Sequence, residues 1–206
     1  MMIDSIFERL KHPNPHLRER AMCEIAESRD ENTIPKLISI LEDENVTYRR
    51  ASVKTLGIIG ADAVPALVEL LLNSDNSTIR ASCAKALAQI AVNYREDPFP
   101  AAGIEGLKKA LNDPNPVVHI ASVMALGEIG PPIFDILVEA LNTTDNIALA
   151  VAIVNALGSL GDNRATEVLK KFSQDESVDT YIRESAVSAL SRLELVSKYQ
   201  QVNAQR

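Results

Sequence analysis

Aligned with itself, the chain repeats at intervals of 31 to 39 residues. A period of that size confines a sequence to architectures that stack one supersecondary unit on the next. The most regular copy reads Val46-Thr47-Tyr48-Arg49-Arg50-Ala51-Ser52-Val53-Lys54-Thr55-Leu56-Gly57-Ile58-Ile59-Gly60. Its Arg49/Leu56 spacing recurs as Arg18/Ile25, Arg80/Leu87, His119/Leu126, Ala150/Leu157 and Arg183/Leu190, which makes six units. The steps between successive units are 31, 31, 39, 31 and 33 residues, so one gap carries eight extra residues, Asn93 to Pro100 and their neighbours.

Each unit reads as two antiparallel helices. The first is short, with an apolar stripe, as in Val64-Pro65-Ala66-Leu67-Val68-Glu69-Leu70-Leu71. Pro65 sits near its start, where a missing N–H costs little, and Pro35 and Pro132 look equivalent. Turns rich in Asp, Asn and Pro follow, among them Asp43-Glu44-Asn45 and Asp113-Pro114-Asn115-Pro116, and their side chains are suited to capping the second helix. That helix ends at Gly60, Gly130 or Gly161, residues that tolerate a left-handed stop.

Counted from the Arg position, offsets −1, +4, +7 and +10 are apolar in nearly every copy, as in Tyr48, Val53, Leu56 and Ile59. Offsets +3 and +6 are mostly small (Ser52, Cys83, Ser122, Ala186; Ala86, Ala125, Ala156, Ala189), so neighbouring units can approach closely. Burying one Leu contributes about 1.5–3 kcal/mol, too little for a lone unit to offset its ordering entropy. The expected fold is therefore an all-α, α-α superhelix of six helix pairs. It forms a single array over residues 1–193, with a polar tail at 194–206.

Composition excludes several functions. Apolar residues make up 46% of the chain with only 4% aromatic and no Trp, a profile of close-packed helices rather than strands. A net charge of −7, with neither half basic, argues against nucleic acid as a partner. That balance also sets aside a helical-repeat DNA glycosylase. Two cysteines form no disulfide framework, and the start Met1-Met2-Ile3-Asp4-Ser5 lacks the order of a signal peptide. Purely apolar runs fall short of the ~20 residues that span a bilayer. The expectation is a cytoplasmic protein with no membrane segment.

Chemical motifs are sparse. The three histidines, His12, His16 and His119, have no Cys or carboxylate at metal-ligand spacing, so no metal site is expected. No glycine loop that cradles phosphate is present. Cys83 occupies a small-residue packing offset and reads as an inert core thiol, whereas Cys23 lies at the variable offset +5 and reads as accessible. Arg18, Arg49, Arg80 and Arg183 recur beside turn carboxylates such as Asp43, the pattern of a structural ladder between repeats.

With the units laid out, the sequence resembles the phycobilin-lyase branch of HEAT-like repeat proteins. The residues that carry the resemblance are Leu17-Arg18-Glu19-Arg20-Ala21, Val46 to Ala51, Asp113 to Gly130 and Ser185 to Leu190. Size and six-unit layout look most like the smaller, F-type subunit of the heterodimeric lyase that attaches phycocyanobilin to a cysteine of the phycocyanin α subunit. In a HEAT array, offsets +1, +5 and +9 line the concave side. Here that face passes from the basic Arg50, Lys54 and Lys85 to the apolar Ile120, Met124 and Val151, beside Asn155.

The resemblance implies a chaperone-like lyase subunit that works with a larger HEAT-like partner. It holds phycocyanobilin as substrate, with no permanently bound cofactor, and aims it at the acceptor thiol. Arg50, Lys54 and Lys85 would pair with its propionates, Ile120, Met124 and Val151 would cover its rings, and Asn155 would complete the site. Tyr94 or His119 are the weak candidates for a catalytic proton donor. The alternative within the same family is a non-enzymatic scaffold or adaptor for phycobilisome assembly or degradation.

Overall fold

The computed structural model describes residues 2–204, with side chains for residues 5–195 and Lys198. These residues form twelve α-helices joined by short turns, with no strand among them. In chain order, α1 (Met2–Glu8) pairs with α2 (Pro15–Glu27), α3 (Thr33–Ser39) with α4 (Val46–Ile59), and α5 (Val64–Asn73) with α6 (Ser77–Asn93). Then α7 (Ala101–Ala110) pairs with α8 (Pro116–Ile129), α9 (Phe134–Thr143) with α10 (Ile147–Ser159), and α11 (Ala165–Gln174) with α12 (Thr180–Ala204). These are the six helix pairs of the repeat, and the chain is all-α as expected.

The residues divide into two compact units, Met1–Ala125 and Leu126–Arg206. In the first, α4 packs between α2 and α6, and α5 packs on α7. In the second, α10 packs on α12, with α9 and α11 beside them. Over the described part of the expected polar tail, 194–204, the chain continues as α12; residues 205–206 and Met1 lie outside the described residues.

Local chemistry sets these boundaries. The second helices begin at an Asn whose side-chain oxygen accepts a backbone N–H: Asn14 from His16, Asn45 from Tyr48, Asn76 from Thr78, Asn115 from Val117 and Asn146 from Leu149. Asp179 does the same for Tyr181 in the last repeat. Gly60, Gly130 and Gly161 have φ of 83°, 91° and 72°, the left-handed stop that a Cβ would strain. Pro65 lies in the first turn of α5, as expected. Pro132 does not match it: it belongs to a one-turn 3-10 segment, Pro131–Ile133, that precedes α9.

The stretch Val46–Asn73 is long and apolar enough in composition to cross a bilayer. It is nevertheless not one helix, because Gly60 divides it into α4 and α5, and half of its most apolar window is buried. The predicted core offsets are inside: Tyr48, Leu56, Leu126, Leu149, Val154 and Leu157 are buried, with Val53 half-buried. Small residues let the second helices meet closely. A Cβ on Gly158 would stand 2.7 Å from the Ala189 Cβ, and one on Gly57 would stand 2.5 Å from the Gln89 Cβ. Within a pair, the buried Ser52 hydroxyl donates to the Leu37 carbonyl at 2.6 Å and ties α4 to α3.

Candidate ligand-binding face

The recurring arginine shapes the edge of this face, and it acts mostly within its own repeat. Arg18 Nη1 donates to the carbonyls of His12 (2.6 Å) and Pro13 (2.9 Å). Arg49 Nη1 donates to those of Asp43 and Glu44, and Arg80 Nη1 to those of Ser74 (2.8 Å) and Asp75 (3.2 Å). Each guanidinium thus clamps the turn that precedes its helix, which orders the helix start without using a neighbouring repeat.

The expected rung between repeats is formed by Arg80, whose Nε and Nη2 reach the two Asp113 carboxylate oxygens at 2.7 and 3.0 Å. This bidentate pair is largely buried, and the guanidinium holds the Asp113 carboxyl below the ordinary carboxylate range. The Asp113 backbone carbonyl is 3.3 Å from Nδ1 of His119, which stands where other repeats have Arg. His119 is itself buried, and its Nε2 has no hydrogen-bond partner. In the next repeat Ala150 supplies no clamp; the turn relies on the Asn146 cap and on Thr144 Oγ1, which accepts from Asn146 N.

Tyr94 is occupied structurally as well. Its hydroxyl donates to the Ile58 carbonyl, and its ring lies where a Cβ on Gly60 would be, 2.8 Å away. The insertion therefore folds back on the end of α4 and caps a carbonyl left free by the helix stop. Phe99, at its other end, lies against Gly103, where a Cβ would meet its ring at 2.6 Å and the Val64 side chain at 3.2 Å. Neither weak catalytic candidate offers its polar atom to an open face.

The expected binding residues fall in two groups. In the first unit, Arg50 and Lys54 are exposed one turn apart on α4, and Lys85 is exposed at the register of Lys54 on α6, which packs against α4. Arg50, Lys54 and Lys85 form no ion pair among the described residues, so their charges are available to an anion. At the equivalent positions of α8, Ile120 is half-buried and Met124 is 64% exposed. That much unpaired thioether and methylene surface at a position where α4 and α6 carry Lys is the apolar half of the face.

Val151 and Asn155 belong to the second unit and lie on α10, both half-buried. Asn155 is already engaged: Arg192 donates to its backbone carbonyl (3.1 Å), to its side-chain oxygen (3.3 Å) and to the Ser159 hydroxyl (3.2 Å). This clamp escaped the repeat pattern because offset +9 holds Glu27, Ile58, Gln89, Glu128 and Ser159 in the other copies. An Arg at so variable a position carries no periodic signal.

The two thiols behave oppositely. Cys83 is buried and burial pushes it up to about 12, whereas Cys23 is exposed. Iodoacetamide at pH 8 is accordingly expected to add one adduct to the native protein and two in denaturant, read by intact mass. Two adducts without denaturant would contradict the packing of Cys83. Among the described residues no group of three or more His, Cys, Asp or Glu side chains is placed to hold a metal ion.

The chain matches the family of HEAT repeats over residues 3–88 and 104–191, leaving out the insertion. It is 53% identical over 199 residues to an uncharacterized phycocyanin operon protein Z of Pseudanabaena tenuis, covering 97% of this chain and 98% of that one. The bilin biosynthesis protein CpeZ of a Synechococcus species is 32% identical over 178 residues, covering 84% and 95%. Among solved structures, the complex of CpcE and CpcF of phycocyanin lyase from a Nostoc species aligns with TM-score 0.50 and 22% identity, over 75% of this chain and 96% of that chain. An engineered protein aligns with the same TM-score and identity over 95% of this chain and 98% of its own. The two structural matches speak to the helix-pair fold alone.

Proposed function

The chain belongs to the HEAT-repeat family and to the family of phycocyanin operon protein Z and CpeZ, and from that membership we propose that it is a bilin-handling subunit of a phycobilin lyase. In this reading it acts in the cytoplasm with a larger HEAT-like subunit. It holds phycocyanobilin for thioether attachment to a cysteine of the phycocyanin α subunit. The observation that carries the reading is the relationship to CpeZ, a bilin biosynthesis protein, across 84% of the chain.

The face on the first unit suits that ligand. An open-chain tetrapyrrole carries two propionates on a flat apolar body; Arg50, Lys54 and Lys85 supply exposed cations, and the exposed Met124 and the half-buried Ile120 supply apolar surface at the same register of α8. Attachment is an addition: the acceptor sulfur bonds to the vinyl-derived carbon, the thiol proton passes to the bilin, and nothing leaves. Neither the capped Tyr94 hydroxyl nor the buried His119 is given a part in it. The chain contributes by positioning, which converts a bimolecular encounter into an oriented one.

The test is coexpression with phycocyanobilin, the phycocyanin α subunit and the larger subunit, reading the zinc-fluorescent covalent adduct. The adduct is expected to require this chain and to fall about tenfold or more in Arg50→Glu/Lys54→Glu/Lys85→Glu, since each charge-assisted contact is worth on the order of 1.5–3 kcal/mol. An adduct that forms equally without the chain would overturn the lyase reading. Stable binding to antenna subunits with attachment unchanged would make the chain a scaffold or adaptor instead.

A further inference from the structure

Arg192 is a cation held in place without being neutralised. Arg18, Arg49 and Arg80 donate to carbonyls of the turn before their own helix, and Arg80 adds the Asp113 carboxylate. Arg192 instead reaches from α12 back to α10. Its Nη1 donates to the Asn155 carbonyl at 3.1 Å and to the Ser159 hydroxyl at 3.2 Å, and its Nη2 donates to the Asn155 side-chain oxygen at 3.3 Å. That carbonyl already accepts from the Ser159 hydroxyl at 3.2 Å within α10, so it does not need the arginine as the turn carbonyls need theirs.

What these contacts do is orient the guanidinium. Neutral oxygens engage Nη1 and one hydrogen of Nη2, which leaves the Nε hydrogen and the other Nη2 hydrogen side by side. Arg80 uses the same two atoms to grip both oxygens of Asp113. At Arg192 no carboxylate fills that fork among the described residues, although the second unit carries more acidic than basic residues. The side chain is half-buried and its bond to Ser159 lies at the surface, so the guanidinium reaches solvent. A partly buried, oriented cation that no internal carboxylate neutralises is built to receive an anion.

We propose that Arg192, oriented by Asn155 and Ser159, binds the carboxylate of a small organic acid with an apolar body. The free edge of the guanidinium matches a planar carboxylate bidentately, as it does inside this chain at Asp113. One guanidinium in an acid-rich unit favours a single negative charge over the double charge of a phosphate monoester. Val151, half-buried one turn before Asn155 on α10, offers apolar surface to the body that carries the carboxylate. The lyase reading places the bilin propionates on the first unit, so this site on the second goes beyond it.

The test titrates the full, nitrogen-15-labelled chain with indole-3-propionate and, separately, with its neutral amide, following the Arg192 Nε–H resonance. The acid is expected to shift that resonance saturably and to bind about tenfold or more tightly than the amide. Arg192→Lys keeps the charge but loses the fork, and should bind the acid no better than the amide. Arg50→Glu/Lys54→Glu/Lys85→Glu should leave the Arg192 response unchanged. Equal binding of acid and amide overturns the proposal, as does the lack of a saturable shift. So does full binding of the acid by Arg192→Lys, or a response that the first-unit variant abolishes. The comparison of acid with amide needs no variant, so it decides the matter even if Arg192→Lys fails to fold. Bilin plays no part in this measurement, so its failure and that of the attachment assay are told apart.

Discussion

Arg80→Ala is expected to destabilise the chain by about 3–5 kcal/mol, the cost of breaking a buried ion pair from one side. Three losses coincide. The Asp113 carboxylate, 8% exposed, keeps its charge without its bidentate partner, and the turn carbonyls of Ser74 and Asp75 lose the guanidinium that clamps them. His119 does not replace it, since its Nδ1 faces the Asp113 backbone carbonyl and not the carboxylate. Asp113→Asn should cost less, about 1–2 kcal/mol, because Arg80 retains its turn carbonyls. Urea unfolding of both variants measures the difference, and equal small losses would show that the pair is not buried in solution.

The same pair predicts a pH dependence. Arg80 lowers the folded-state pKa of Asp113, so the unfolded chain binds the proton more readily. The pair's contribution is therefore present above the ordinary Asp value of about 3.9 and is lost as pH falls through the depressed folded value. The stability gap between the parent and Arg80→Ala should narrow in acid below about pH 4. A gap that stays constant down to that range would place the Arg80 effect in the turn clamp alone.

Gly158→Val is expected to cost about 3 kcal/mol, the upper end for overpacking, read as a shift in the urea midpoint. The new Cβ would meet the Ala189 Cβ at 2.7 Å, its Cα at 2.8 Å and its carbonyl oxygen at 2.9 Å. Two of those three atoms are backbone, so no rotamer change relieves the contact and α10 must separate from α12. Gly127→Val makes the control, because a Cβ there meets Ala156 at an ordinary 3.5 Å. A loss at position 158 no larger than that at 127 would mean that the helices slide apart easily.

The helix pairs were legible because they rest on short-range chemistry repeated six times. Asn45, Asn76 and Asn146 cap where the turn pattern places them, and Gly60, Gly130 and Gly161 stop helices by a φ that the residue type alone announces. The candidate face was legible as a register, since Arg50, Lys54, Lys85 and Met124 are exposed where periodicity puts them. Tyr94 and His119 stood out in the sequence as interruptions of the pattern, yet neither presents its reactive atom to that face. One is spent on the Ile58 carbonyl and the other is buried, and both outcomes depend on residues from other segments.

Sequence by itself determined the number of repeats, their helical polarity, the caps, the core stripe and the small residues at the seams, because each follows from spacing along one helix. Tertiary structure decided the partners across those seams. It assigned Asp113 to Arg80 over a separation of 33 residues and gave Asn155 and Ser159 to Arg192. It also left Val187 exposed at an offset where Ala84, Val123 and Val154 are buried. The physical reason is that an offset fixes the direction in which a side chain points, while what it meets is set by the neighbouring repeat.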